Sequence, residues 1–164
     1  MIRVLKAIAR LVIDFLPYSF VKPLVVKRER LKRKNSVRKD VKTISVANGI
    51  EMDVYYKNVE AIGSGPAISI YLDEREVLKF DCFGGGAGHY HVSQRNNLNR
   101  FTDRFQLPNG SRRDHLNRCL FELQQNITGF FQLSDIEQAS EKNIDVAKLH
   151  NALQLTERHL SKYV

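Results

Sequence analysis

The spacing of apolar residues changes period along this chain, and the changes divide it into regions. From Met1 to Leu16, Ile8, Leu11, Val12 and Phe15 recur at helical spacing while Arg3, Lys6 and Arg10 fall on another side, the pattern of an amphipathic helix. Pro17 ends it. From Thr43 the period becomes two. Ile44 and Val46, then Asn48-Gly49, then Ile50, Met52, Val54 and Tyr56 read as a hairpin, since Asn-Gly supplies the positive φ of a tight turn. Ile68, Ile70 and Leu72 start a second hairpin that turns at Asp73-Glu74-Arg75-Glu76 and returns through Val77, Leu78, Phe80, Cys82 and Phe83, with Gly63-Ser64-Gly65-Pro66 as the loop between the two. His89 to Ser93 adds a fifth strand. Helical spacing then resumes: Ser111-Arg112-Arg113-Asp114 resembles a capping box and opens a helix running to about Ile127, before Gly129. Another helical stretch begins at Ser134-Asp135-Ile136-Glu137 and ends in a helix carrying Ile144, Ala147, Leu149, Leu153, Leu155 and Leu160.

Strands first and helices afterwards predict an α+β fold. The expected architecture is an antiparallel sheet of four to five strands over about 43–95. Helices at about 111–127 and 134–163 pack on one face, and a basic helical arm, residues 1–42, precedes the domain of residues 43–164. At 164 residues the chain is long enough for one domain with a real core, and 27% charged with 43% hydrophobic residues excludes a disordered chain. Cys82 and Cys119, with no secretion signal ahead of them, read as reduced thiols of a cytoplasmic protein. Arg10 and Asp14 interrupt the apolar run of the first helix, and the longest uncharged run of the arm, Phe15 to Val21, falls well short of a membrane span.

The net charge of +8 is unevenly placed. Residues 1–42 hold 13 Lys/Arg against Asp14, Glu29 and Asp40, a balance of +10, whereas residues 43–164 hold 13 Lys/Arg against 15 acids, a balance of −2. Lys27, Arg28, Arg30, Lys32, Arg33, Lys34, Arg38 and Lys39 are therefore the expected anion-binding set, matched by the phosphates of RNA or DNA or by an acidic membrane surface. No aromatic residue lies between Lys27 and Lys42 to stack on a base. The arm thus reads as a backbone-contacting attachment, leaving the protein cytoplasmic, at most peripheral to a membrane, with a protein partner open to the domain.

The densest chemistry is the stretch Phe80-Asp81-Cys82-Phe83-Gly84-Gly85-Gly86-Ala87-Gly88-His89-Tyr90-His91-Val92. The glycines lack the Lys-Ser/Thr of a phosphate loop and read as a flexible bend between strands. His89 and His91, two apart on a strand, share a face. They can serve as acid and base, or as two metal ligands that His115 and Cys119, at i and i+4 of the next helix, would complete to a zinc site. Cys119 falls with Leu116, Leu120, Leu123 and Ile127 on a core face, so the non-metal role is the expectation and no cofactor or metal is assigned. Cys82, between Phe80 and Phe83, reads as core rather than nucleophile.

The runs Gly65 to Asp73, Val77 to Gly84 with Gly88 to Val92, and Leu120 to Asn126 together resemble an uncharacterised bacterial domain family over about residues 60–130, which carries no activity across. More distantly, a hairpin leading into Asp, Gly-rich and His-x-His residues and then a helix is similar to the TumE-type toxins of toxin–antitoxin pairs, whose targets are thought to be nucleic acid. That resemblance implies Asp81, His89, His91 and Arg95 as catalytic candidates; in a nuclease built on the two histidines, Arg95 or Arg100 would stabilise charge on the phosphate. The expectation ranked first is a non-catalytic binding protein attached through its arm. The alternative is a toxin-like nuclease using His89 and His91.

Overall fold

The computed structural model describes residues 37–93, 102–134 and 144–164; the helix expected over Met1 to Leu16 and the basic run Lys27 to Lys34 lie outside the described residues. The fold is α+β. Six strands, β1 (Arg38–Ala47), β2 (Ile50–Val59), β3 (Gly63–Leu72), β4 (Arg75–Asp81), β5 (His89–Ser93) and β6 (Thr102–Gln106), form one antiparallel sheet in sequential order. Two helices follow, α1 (Arg112–Leu133) and α2 (Val146–Leu160), with a single 3-10 turn at Ser161–Tyr163.

The sheet has six strands rather than four to five and spans 38–106 rather than about 43–95. Strand β6 was not legible because Phe105 is the one apolar residue in Thr-Asp-Arg-Phe-Gln, so an edge strand with little to bury leaves no alternation. At the other end, Arg38 and Lys39, counted with the helical arm, lie in β1 and pair with Lys57 and Tyr56 of β2. The glycine-rich run Gly63 to Pro66 is not a loop but the start of β3, fully paired with β2; the connection is the turn at residues 60–62, where Ala61 takes φ 63°. Pro66 is tolerated inside the sheet because its C=O, which accepts from the Cys82 N–H at 2.8 Å, faces the β4 side just past the last ladder pair Ala67↔Asp81; its missing N–H would face the same way, so the β2–β3 ladder loses no bond. The second hairpin turns on two residues rather than four, Asp73 and Glu74, both left-handed at φ 44° and 68°.

One face of the sheet carries Ile44, Met52, Val54, Ile68, Ile70, Leu78, Phe80 and Val92, which form a single cluster with Leu116, Cys119, Leu123, Ile127, Phe131, Leu149, Leu153 and Leu160 of the helices. Both helices thus cover the same face. The Ser111 hydroxyl accepts from the Asp114 N–H at 3.1 Å while the Asp114 carboxylate accepts the Ser111 N–H at 2.8 Å, the expected capping box. Helix α1 runs through Gly129, where nothing lies within 4 Å of a would-be Cβ, because Phe130 and Phe131 beyond it are buried and their burial outweighs the roughly 1 kcal/mol cost of a helical glycine. Ser134 caps the C-terminal end of this helix, and the helical stretch expected from Ser134 to Glu137 runs into residues 135–143, which lie outside the described residues. Helix α2 is capped by Asp145, whose carboxylate accepts from Ala147 and Lys148.

The chain's end returns to its first strand. Asp40, at φ 54° in an irregular stretch of β1, accepts the Tyr163 hydroxyl at 2.9 Å, an ion pair from Lys162 and, through its carbonyl, the His159 ring at 2.9 Å.

Candidate active site

The face of the sheet opposite the helices is polar, and its register explains which side chains meet. On β4 and β5, Asp81 stands opposite His89 and Lys79 opposite His91; on β5 and β6, His89 stands opposite Gln106 and His91 opposite Arg104. Two rows result, Asp81–His89–Gln106 and Lys79–His91–Arg104, with both imidazoles central. Directly opposed residues bring their Cβ atoms to about 5 Å, so His91 sits between two cations. Lys57 joins from β2. It stands opposite Gly65, whose position admits no side chain because a Cβ would come within 2.5 Å of the Cys82 carbonyl, and over this gap the ammonium reaches both Asp81 oxygens at 2.9 and 3.1 Å.

Asp81 and His89 are buried. The Asp81 Oδ2 lies 2.9 Å from Lys57, 3.7 Å from Lys79 and 3.4 Å from His89 Nε2. Burial pushes this carboxyl up, but the His89 hydrogen bond and the ammoniums of Lys79 and Lys57 more than offset it and hold Asp81 well below the usual carboxylate range. Desolvation brings the Lys57 ammonium down to about 8 against the attraction of Asp81. The other nitrogen of His89, Nδ1, is 2.8 Å from the Ala87 carbonyl, with Arg104 at 3.4 Å. Each nitrogen of His89 therefore faces an acceptor. His91 differs. Its ring meets that of His89 edge to face with centroids 4.8 Å apart, and its buried Nδ1 has no hydrogen-bond partner. Burial, then the neighbouring His89, lower His91 to about 4.

The loop between β4 and β5 is held rather than flexible. Gly84 and Gly85 take left-handed φ of 77° and 56°, the Gly85 N–H donates to the Gly110 carbonyl, the Leu107 N–H to Gly88, and the Gln106 amide donates to the carbonyls of Gly86 and Gly88. His115 of α1 completes the fixture: Gly84 N–H donates to its Nδ1 at 3.1 Å and its Nε2 donates to the Pro108 carbonyl at 2.8 Å. This loop sets the position of His89.

The four-residue zinc set of His89, His91, His115 and Cys119 is not assembled. Both ring nitrogens of His115 are spent on the loop, and Cys119 is fully buried in the helix-side core, where desolvation raises its thiol well above the ordinary value. Instead Asp81 joins the two histidines: the ligand atoms of Asp81, His89 and His91 all lie within 4.8 Å of one another. Of the other expected site residues, Arg95 and Arg100 lie outside the described residues, as do Lys27 to Lys34. Arg38 is not a solvent-facing anion contact; its guanidinium pairs with Asp53 at 3.1 Å and Glu76 at 3.6 Å and lies 4.4 Å over the Tyr55 ring. Lys39 is exposed on β1. Lys57, Lys79, Arg104 and Gln106 were not singled out from sequence. Lys79 was within reach, since it alternates with Asp81 on one strand and so shares its face; Lys57 needed the β2–β3 register.

The low proton affinity of His91 gives the protein a defined acid weakness. Above pH 6.5 the ring is neutral folded or unfolded, and its contribution is complete. Between 6.5 and about 4 the unfolded chain binds a proton that the folded chain refuses, so stability falls with falling pH, by about 2 kcal/mol once discounted for the half-buried ring. Asp81 adds a second loss only below the ordinary carboxylate range. Urea titrations in chelator from pH 7 to 4 should show the first slope, and His91→Gln should flatten it; an unchanged slope would place the proton uptake elsewhere.

No protein-family model, curated protein or solved structure matches this chain.

Proposed function

We propose that this protein hydrolyses nucleic-acid phosphodiesters, with Asp81, His89 and His91 at the reacting centre and Lys79 and Arg104 receiving the phosphate. The observation that carries the reading is the His91 ring, set between these two cations with a buried, partnerless nitrogen beside an Asp81–His89 pair. Groups of this kind on the face away from the core cost stability rather than supply it, and convergence of perturbed ionisable groups is a mark of a reacting site. In the reaction a water oxygen bonds to phosphorus as the bond to the leaving ester oxygen breaks. The neutral His91 ring takes the water's proton, the Lys79 ammonium gives one to the leaving oxygen, Arg104 offsets charge on the phosphate oxygens, and exchange with water then returns His91 and Lys79 to their starting states. The choice of nucleic acid rests on the partition of charge: ahead of β1, residues 1–37 hold 10 Lys/Arg against Asp14 and Glu29, and this +8 balance would hold a polyanion by counterion release. The likeness to TumE-type toxins points the same way.

The same partition of charge, +10 on residues 1–42 against −2 on the rest, favours a second reading in which the arm attaches the protein to RNA, DNA or an acidic membrane surface and nothing is turned over. Incubation of the full-length protein and its His91→Ala variant with single-stranded RNA and DNA, with binding followed over a salt series, separates the two. Cleavage lost in the variant while binding persists supports hydrolysis. Intact polymer under all conditions, with binding that falls steeply in salt, would leave attachment as the function.

A further inference from the structure

The three donors of the polar face have the composition and spacing of a metal centre, and we propose that Asp81 Oδ2, His89 Nε2 and a ring nitrogen of His91 bind one divalent transition-metal ion of the zinc class. The inference deepens the hydrolytic reading but stands on its own geometry. Two ligands of a tetrahedral ion with bonds of 2.0–2.2 Å sit about 3.3 Å apart; His89 Nε2 and Asp81 Oδ2 are 3.4 Å apart, and the whole donor set lies within 4.8 Å, so an ion would have to draw the donors together. His89 already has the outer contact that metal-bound histidines use: its Nδ1 lies 2.8 Å from the Ala87 carbonyl, which orients Nε2 inward. The His91 Nδ1, buried and without a partner, carries a desolvation cost that a ligand would offset.

Lys57 does not block the site. The Lys57 ammonium lies 2.9 Å from Oδ2 and 3.1 Å from Oδ1; a carboxylate has four lone-pair positions, so with an ion on Oδ2 the ammonium keeps Oδ1, and a hydrogen-bonded carboxylate is the usual support of a metal ligand. Lys57, Lys79 and Arg104 do add positive charge nearby, which weakens the site for a bare ion and favours an anionic companion such as hydroxide or a phosphate oxygen. Three protein ligands leave a coordination position for it, where the ion would polarise a phosphoryl oxygen and would activate water in place of the His91 ring once that ring is a ligand. Imidazole donors select zinc, cobalt or iron over magnesium and calcium, which prefer all-oxygen shells.

The test uses full-length protein stripped with chelator and titrated with Zn²⁺ by calorimetry and with Co²⁺ by visible absorption, alongside Mg²⁺ and Ca²⁺. The expected result is one equivalent of Zn²⁺ or Co²⁺, bound about tenfold or more weakly in both His91→Ala and Asp81→Asn, unchanged in His150→Ala and His159→Ala, and undetected for Mg²⁺ and Ca²⁺. His91→Ala removes a ring that holds nothing through Nδ1, and near-ultraviolet circular dichroism confirms its fold. No binding, or binding that follows His150 or His159 instead, overturns the metal site. Bound metal with uncleaved nucleic acid would keep the site and remove the hydrolytic reading; cleavage that persists in chelator without metal uptake would do the reverse.

Discussion

Asp81→Ala is expected to lower folding stability by about 3–5 kcal/mol, the range for removing one partner of a buried ion pair. Asp81 is 1% exposed, and three groups depend on it: the ammonium of Lys57 through both oxygens, that of Lys79, and the His89 ring. With the carboxylate gone, positive charge remains on a desolvated face with no counter-charge, and the hydrogen-bonding nitrogen of His89 loses its acceptor. The cause can be separated from simple loss of packing. Adding Lys57→Met to Asp81→Ala removes the nearest stranded ammonium and should recover more than 1 kcal/mol of the loss in urea denaturation at pH 7. A double variant no more stable than the single one would show that Asp81 acts through something other than these cations.

Gly88→Ala is expected to cost about 3 kcal/mol, from overpacking and from the hydrogen bonds it displaces. A Cβ at this position would come within 2.0 Å of His115 Nδ1. The ring cannot simply swing aside, since it is 2% exposed and tied at one nitrogen to Gly84 and at the other to the Pro108 carbonyl. Moving it frees the loop that places His89, so the variant should lose whatever the site binds as well as stability. Gly86→Ala is the matched control, because nothing lies within 4 Å of its Cβ and its φ is not left-handed; thermal denaturation should leave it near wild type. Equal melting of the two variants would contradict a role for His115 as the loop's anchor.

These two residues also mark where the sequence was legible. The His-x-His spacing put both imidazoles on one face, and that is a local property of any strand. Asp81 entered only through likeness to other proteins, yet its place opposite His89 follows once the Gly84 to Gly88 loop is seen to close a hairpin. What could not be read was register beyond the nearest turn. Gly63 to Pro66 looked like a loop because glycine and proline are poor strand residues, and that reading hid β3's full length, the gap over Gly65 and hence Lys57. Arg38 and Lys39 were assigned by charge density to the arm, although Arg38 pairs inside the sheet with Asp53 and Glu76. The part His115 plays in fixing the glycine loop could not be read, because its i, i+4 spacing with Cys119 says nothing about which neighbour each ring meets. The helices were easier, since their periodicity and caps are local; only Gly129 misled, being outweighed by Phe130 and Phe131.

The sheet pairs its strands strictly in chain order, and this bears on how the chain finds its structure. Every rung joins neighbours in sequence, so loop closures are short and the meander can grow hairpin by hairpin with little entropy lost per step. The contacts of Asp40 with His159 and Tyr163 span 119 and 123 residues and cannot assist that growth. They belong to the last stage, when α2 docks and draws the C-terminus onto β1, and during synthesis the whole sheet emerges before the segment that fastens its first strand.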